Sequence, residues 1–295
     1  MDLMQQILQQ LVNGISLGSI YALIALGYTM IYGIIKLINF AHGDVYMVGA
    51  YTGFFAVTFA GFPLWAAIIA AMVVTGILGV LIERIAYKPL RNAPKISVLI
   101  TAIGVSFFLE YTSMYFVSPT PRTFPDLFGD VAWSIGPLVV NGQQVLILAL
   151  TFVLMLILTY IVQRTKMGKA MRAASFDTET AQLMGIDADK VISFTFCVGS
   201  ALAAVAGMLV GVYYNSIDPL MGIMPGLKAF IAAVLGGIGI LPGAVAGGLI
   251  LGIVEAFVSG FISSTFRDAA AFAILILVLL IRPTGLFGKN VKEKV

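Results

Sequence analysis

The chain is 295 residues long; 60% of them are hydrophobic and only 11% charged. Soluble domains carry about 25% charged residues, so the composition excludes an ordinary cytoplasmic enzyme, and also a disordered, collagenous or disulfide-framed secreted chain. With 17 basic residues against 14 acidic ones the net charge is +3, too weak to imply nucleic acid; one cysteine (Cys197) permits no internal disulfide and no cysteine metal cluster, and one histidine (His42) argues against a His-based metal centre or a Ser-His-Asp triad.

In chain order, residues 3–35 hold no charge and suffice for one tilted span. The first basic residue is Lys36, so the start lacks the basic region that precedes the core of a secretory signal. Residues 45–82 are again uncharged; Gly61-Phe62-Pro63 interrupts them and predicts two helices joined by a tight turn. A basic stretch, Lys88 to Lys95, is punctuated by Pro89 and Pro94, and an apolar span from about Ser97 to Val117 follows, carrying Glu110. Residues 118–143, rich in Pro, Gly and Asp, read as a partly ordered external loop. Val145–Val162 is the next span, and 164–190 is the longest polar segment. Then come Val191–Tyr214, a loop bounded by Pro and Gly, a glycine-broken apolar run from 226 to 264, a last helix near 268–286 and a basic tail from Lys289 to Lys294.

Each crossing needs ~20 apolar residues. Lysine and arginine stay on the cytoplasmic side, and 14 of the 17 basic residues fall on alternate connections; Arg122, Lys228 and Arg267 are the exceptions. The expectation is therefore one polytopic all-α domain over 1–295 with about nine transmembrane helices, the N-terminus outside and the C-terminus cytoplasmic. The least defined stretch is 226–246, where Gly236 to Gly243 reads either as a turn between two helices or as a re-entrant break; eight crossings are the alternative.

Three stretches depart from plain lipid-facing helix. Asn39, His42 and Asp44 cluster at a helix break flanked by Gly33 and Gly49. Irregular backbone at membrane depth survives only where protein or water satisfies it, so the cluster marks either a wet pathway or an ordinary cytoplasmic turn. The run from Gly226 to Gly248 places small residues where neighbouring backbones approach closely, which suits tight packing more readily than ligand contact. Just beyond it stands Glu255. A carboxylate at a helix centre costs ~2.5–3.5 kcal/mol on insertion scales, so Glu110 and Glu255 should face the bundle interior, as pathway groups or as hydrogen-bonding struts. In the segment 164–190, Asp177 or Thr178 is placed to cap a short helix ending at Met184, with Gly185 as its stop. Two short helices at the cytoplasmic surface are expected there, as a docking module or as a connector. No P-loop is present: Gly168-Lys169 lacks its upstream glycine and Gly288-Lys289 is followed by Asn290. Nor is there a G-x-S-x-G or an H-E-x-x-H.

The opening Leu11-Val-Asn-Gly-Ile-Ser-Leu-Gly-Ser-Ile-Tyr-Ala-Leu-Ile-Ala-Leu-Gly27, continuing to Gly33 and followed by Ile38-Asn-Phe-Ala-His-Gly43, resembles the permease subunits of branched-chain amino acid ABC importers, the H-type subunit of the Liv system more than its M-type paralogue. Gly168, Arg172, Ala173 and Gly185 resemble that family's ATPase-coupling loop. Glu179-Thr180-Ala181-x-x-x-Gly185 resembles the E-A-A-x-x-x-G motif of ABC importers, with Thr180 for its first alanine; Thr195 and Cys197 stand near the place of the I-x-L-P that follows the motif elsewhere. Lys228 to Gly239 and Pro242 to Gly248 are similar to the family as well. The resemblance spans about residues 8–288. It implies a non-enzymatic pore subunit without a cofactor, in a prokaryotic inner membrane. The resemblance implies pairing there with a second permease, a paralogue or a second copy of this chain. Two cytoplasmic ABC ATPases dock on the coupling loops, and an extracytoplasmic binding protein delivers leucine, isoleucine or valine. A related permease for urea or short amides is the alternative, and a secondary carrier using Glu110 and Glu255 is a more distant one.

Overall fold

A computed structural model describes residues 3–91, 93–126, 131–136 and 138–288. It is an all-α bundle with small strands at one end. The first helix, α1 (Leu3–Ile35), is buried almost without interruption from Gly14 to Ile31. A helix that is apolar all round belongs inside, and α1 accordingly forms the centre of the bundle, against α8 (Ala188–Tyr214), α9 (Ile223–Gly236) and α10 (Leu241–Phe261). Its contact with α10 is made by glycines: a Cβ on Gly18 would lie 2.8 Å from the Leu249 Cα. Such backbone-to-backbone approach is how helices gain dispersion contacts in lipid, where there is no hydrophobic drive to pair.

Around this centre lie α2 (His42–Thr58), α3 (Leu64–Ile82), α4 (Lys95–Phe116), α5 (Gly142–Arg164) and α11 (Arg267–Ile281). Four of these, α3, α4, α5 and α11, present exposed apolar side chains such as Val73, Phe108, Tyr160 and Leu280, a surface fit for lipid or for another membrane subunit. The expected turn at Gly61-Phe62-Pro63 separates α2 from α3, and Gly61 adopts φ +65°.

Seven helices among the described residues are long and apolar enough to cross a membrane. The two remaining members of the expected nine are shorter: α2 has 17 residues and α9 has 14. At 1.5 Å per residue these are about 26 Å and 21 Å, against ~30 Å of hydrocarbon. Residues 36–41 leave the helix ahead of α2, and α9 stops where Gly237 takes φ +104°. The ambiguous 226–246 stretch holds two helices joined by a turn. The last helix ends at Ile281, five residues before the expected 286. The ring of Pro283 disfavours helical backbone at the residue before it, and the chain turns back: Leu286 N–H donates to the Leu235 carbonyl at 2.9 Å and Phe287 N–H to the Gly236 carbonyl at 3.1 Å, closing the end of α9.

The expected loop 118–143 is partly ordered. Its β1 (Arg122–Thr123) pairs antiparallel with β4 (Ser216–Ile217), and β2 (Ala132–Ile135) forms a hairpin with β3 (Leu138–Asn141). Gln9 near the start of α1 bonds the Val139 backbone from both sides, at 2.9 and 3.0 Å. At the opposite end sit α6 (Lys166–Phe176) and α7 (Thr178–Leu183), together with the connections bearing Lys36, Arg84, Lys88, Arg91, Lys95, Arg164, Lys190 and Arg282. Charge there is internally balanced around Glu83, which is fully buried, accepts from Ser193 Oγ at 2.7 Å and pairs with Arg91. Arg91 also pairs with Asp189, which holds Lys88 at 2.6 Å. The basic tail 289–294 lies outside the described residues.

Candidate functional site

The break between α1 and α2 is built by backbone. Lys36 takes the left-handed conformation, φ +55°, while its ammonium donates to the Gly33 carbonyl at 2.9 Å. The chain then folds back into the bundle, so that α2 begins beside Gly27 rather than beside the end of α1. A Cβ on Gly27 would lie 2.6 Å from the His42 Cε1. From Ile35 back to Gly27 is about 12 Å along the helix at 1.5 Å per residue; the break is therefore recessed into the bundle.

Asn39, His42 and Asp44 are all buried. Tyr87 donates its hydroxyl to Asn39 Oδ1 at 2.9 Å, and Ser106 on α4 donates to Asp44 Oδ2 at 2.5 Å. His42 packs edge-on against Tyr28, with ring centroids 4.7 Å apart. Neither of its nitrogens completes a hydrogen bond, although the Ile24 carbonyl is within electrostatic reach. Gly43 then meets the start of α9: an added Cβ would lie 3.2 Å from the Gly222 carbonyl carbon and 3.3 Å from the Gly226 Cα. Two short helices thus begin against each other with no side chain between them.

Beside this junction lies a cleft of about 170 Å³ between α1, α2, α4 and α9, lined by Tyr28, Asp44, Ser106, Glu110, Gly222 and Gly226. Asp44 on α2 and Glu110 on α4 both line it. Of the five pathway candidates, the fold brings Asp44 and Glu110 to one cleft and sets His42 behind the Tyr28 wall. Asn39 is turned to Tyr87, where it ties the break to the end of α3.

Glu255 belongs to a different place. It accepts from the Tyr21 hydroxyl at 2.9 Å, pairs with Lys228 at 3.0 Å and lies 3.5 Å from Arg267 Nε. Lys228, itself buried, also pairs with Asp268 at 2.6 Å. The network ties α1, α9, α10 and α11 together. Sequence reading passed over Lys228 and Arg267 as partners of Glu255, and Asp268 as the second acid on Lys228. The signal was there: Lys228 and Arg267 are two of the three basic residues off the alternation, and a buried carboxylate needs a cation.

The coupling candidates form an ordered module. Thr165 caps α6, accepting from Gly168 N–H at 3.0 Å, and Arg172 donates back to the Val162 carbonyl. Gly168 is pressed so closely on the turn at Ile161 and Val162 that no side chain fits. Asp177 caps α7, accepting from Glu179 N–H at 3.0 Å and Thr180 N–H at 3.1 Å. Hydrogen bonds, chiefly from the Thr180 hydroxyl, hold its carboxyl below the usual carboxylate range. At the other end Gly185 has φ +83°; its N–H donates to Gln182 at 2.9 Å and that of Ile186 to Ala181 at 3.0 Å, the paired closure of a Schellman stop. Ala181 faces inward, whereas Arg172, Ala173 and Glu179 are exposed. Phe176, Leu183 and Met184 are also out in solvent, at 96%, 87% and 79% exposure. Glu179 lines a second cleft, about 580 Å³, shared with Lys36, Lys88 and Arg91.

A family model described as the permease component of branched-chain amino acid transport systems matches residues 10–281. The high-affinity branched-chain amino acid transport system permease protein BraD of Pseudomonas aeruginosa is 46% identical, over 98% of this chain and 98% of its own. The corresponding protein LivH of Escherichia coli K12 is 46% identical, over 98% and 97%. A probable LivH of Methanocaldococcus jannaschii is 30% identical, over 94% and 91%.

Proposed function

Because the chain belongs to the family of branched-chain amino acid transport permease components, we propose that it forms half of the translocation pathway of an ATP-driven importer for leucine, isoleucine and valine. It is a multi-pass protein of a prokaryotic inner membrane. A second permease, a paralogue, supplies the other half. Two ATPases dock on the coupling modules, and a binding protein delivers the ligand from outside. Nine crossings complete the alternation of connections, with α2 and α9 as short members, the strand-bearing end outside and the α6–α7 end in the cytoplasm.

The observation that carries this reading is the pairing of a recessed polar cleft with a capped module that presents Phe176, Leu183 and Met184 at the basic end. The cleft is the route; the module receives force and passes it through α5 and α8, which flank it. Glu255 acts as a strut, because its charge is already neutralised by Lys228 and Arg267. ATP binding and hydrolysis on the partner subunits rock the two permeases, and the ligand passes inward.

Reconstitution of the complex with its ATPases and binding protein tests the assignment. Uptake of labelled leucine should require internal ATP and be competed by isoleucine and valine. Uptake driven by an ion gradient without ATP, or competed by urea or acetamide instead, would overturn it.

A further inference from the structure

We infer that the cleft at the α2–α9 junction is a site for a primary ammonium group, held between the Asp44 and Glu110 carboxyls with the Tyr28 hydroxyl as a further acceptor; the inference rests on the pathway reading above and names what that pathway recognises.

Among the described residues no lysine or arginine pairs with either carboxyl. This contrasts with the other buried carboxylates of the bundle: Glu83 faces Arg91, and Glu255 faces Lys228. The two carboxyls therefore line one cleft with no cation of their own. The second observation is independent of the acids. Tyr28 is 4% exposed and lines the cleft; its hydroxyl lies 3.6 Å from where a Cβ on Gly226 would be and has no hydrogen-bond partner among the described residues. A phenol oxygen at the cleft wall is free to accept from a ligand N–H.

Size limits what enters. Pockets that enclose a whole drug-sized ligand run to ~300–1,000 Å³; this cleft is about 170 Å³ and takes the head of a small molecule only. The glycines at 222 and 226 leave backbone, not side chains, on the wall facing the acids. An alkylammonium has three donors on a compact charge, which suits two carboxyl oxygens and one phenol oxygen. A free carboxylate meets only repulsion from the pair. The site therefore reads the amine of an amino acid and leaves its side chain to the apolar surroundings.

The test uses the assembled transporter with Cys197→Ser as background and Ile103→Cys as reporter, since Ile103 lines the cleft and is accessible. Retained leucine uptake shows that the reporter complex is folded, and Phe107→Cys, on the same wall and also accessible, is the second reporter if it is not. A cationic methanethiosulfonate should label the reporter about tenfold faster than an anionic one, the scale of a unit charge at such range. Asp44→Asn with Glu110→Gln should remove that preference. Leucine and isopentylamine should slow labelling, and isovalerate, which has the carbon skeleton without the amine, should not. Equal rates for the two reagents, protection by isovalerate equal to that by isopentylamine, or no labelling at either reporter overturns the inference. Leucine uptake with charge-blind labelling leaves the transport assignment standing and removes only the ammonium site; failure of ATP-dependent uptake in the unmodified complex removes the assignment itself.

Discussion

Gly27 leaves the space that His42 fills, and that exchange sets the depth of the break. The imidazole is enclosed, packed on Tyr28 and short of a complete hydrogen bond, so its volume matters as much as its polarity. His42→Ala should lower uptake several-fold while the binding protein keeps its affinity, because the wall behind the cleft loses support. Transport assays alongside titration of the binding protein check this, and unchanged uptake would reduce the break to a turn. Overpacking the same contact, Gly27→Val, should cost about 1–3 kcal/mol, read as a lower midpoint of thermal unfolding in detergent. The Lys228–Glu255 pair makes a sharper case. Removing one partner of a buried ion pair costs about 3–5 kcal/mol, so Lys228→Ala should destabilise the complex strongly. Lys228→Met combined with Glu255→Gln should recover much of the loss; equal damage from single and double variants would show that the pair is not the strut.

Among the elements, the α6–α7 module was readable almost residue by residue. Asp177 as cap and Gly185 as stop are local chemistry, carried by neighbours in the chain, and the fold places both as expected. Nothing lies near a Cβ built on Gly185, so a substitution there acts through backbone alone. Gly185→Leu should cost roughly 1–2 kcal/mol of left-handed strain and lower uptake per ATP hydrolysed, while Gly185→Asn should stay closer to normal; parallel measurements of hydrolysis and uptake decide it. The meeting of Asp44 with Glu110, and of Glu255 with Lys228, was not readable. Neither pair shares a helix period, and only the packing of α2 on α4 and of α9 on α10 brings them together. The shortness of α2 and α9 was hidden for a related reason. Apolar runs do not reveal where a polar break or a left-handed glycine ends the hydrogen-bond ladder.

For the whole molecule, the three basic residues that break the alternation are each accounted for at the strand-bearing end. Lys228 and Arg267 sit in the Glu255–Asp268 network. Arg122 lies over the rings of Phe54 and Phe55, 6.0 and 5.8 Å from their centroids, and donates to the Val117 carbonyl at 2.6 Å. Charges held in place this way contribute less to orientation than free lysines on a cytoplasmic loop. Reporter fusions should therefore place Gln5 outside and Lys292 inside. A cytoplasmic signal at Gln5 with Lys292 also inside would favour eight crossings.

The bare apolar side chains of α6 and α7 also bear on how the subunit is counted by the cell. Phe176, Leu183 and Met184 stand in water on a module that is otherwise fully capped. Until a partner covers them they form the kind of sticky patch that holdases and membrane-bound proteases engage. A chain made without its ATPases should be cleared faster than one made with them, in a pulse-chase measurement, and serine at these three positions should lengthen the orphan's lifetime. On the proposed docking of a motor at α6–α7, the same three residues would also set the stoichiometry of the assembly, by making the unpaired subunit short-lived.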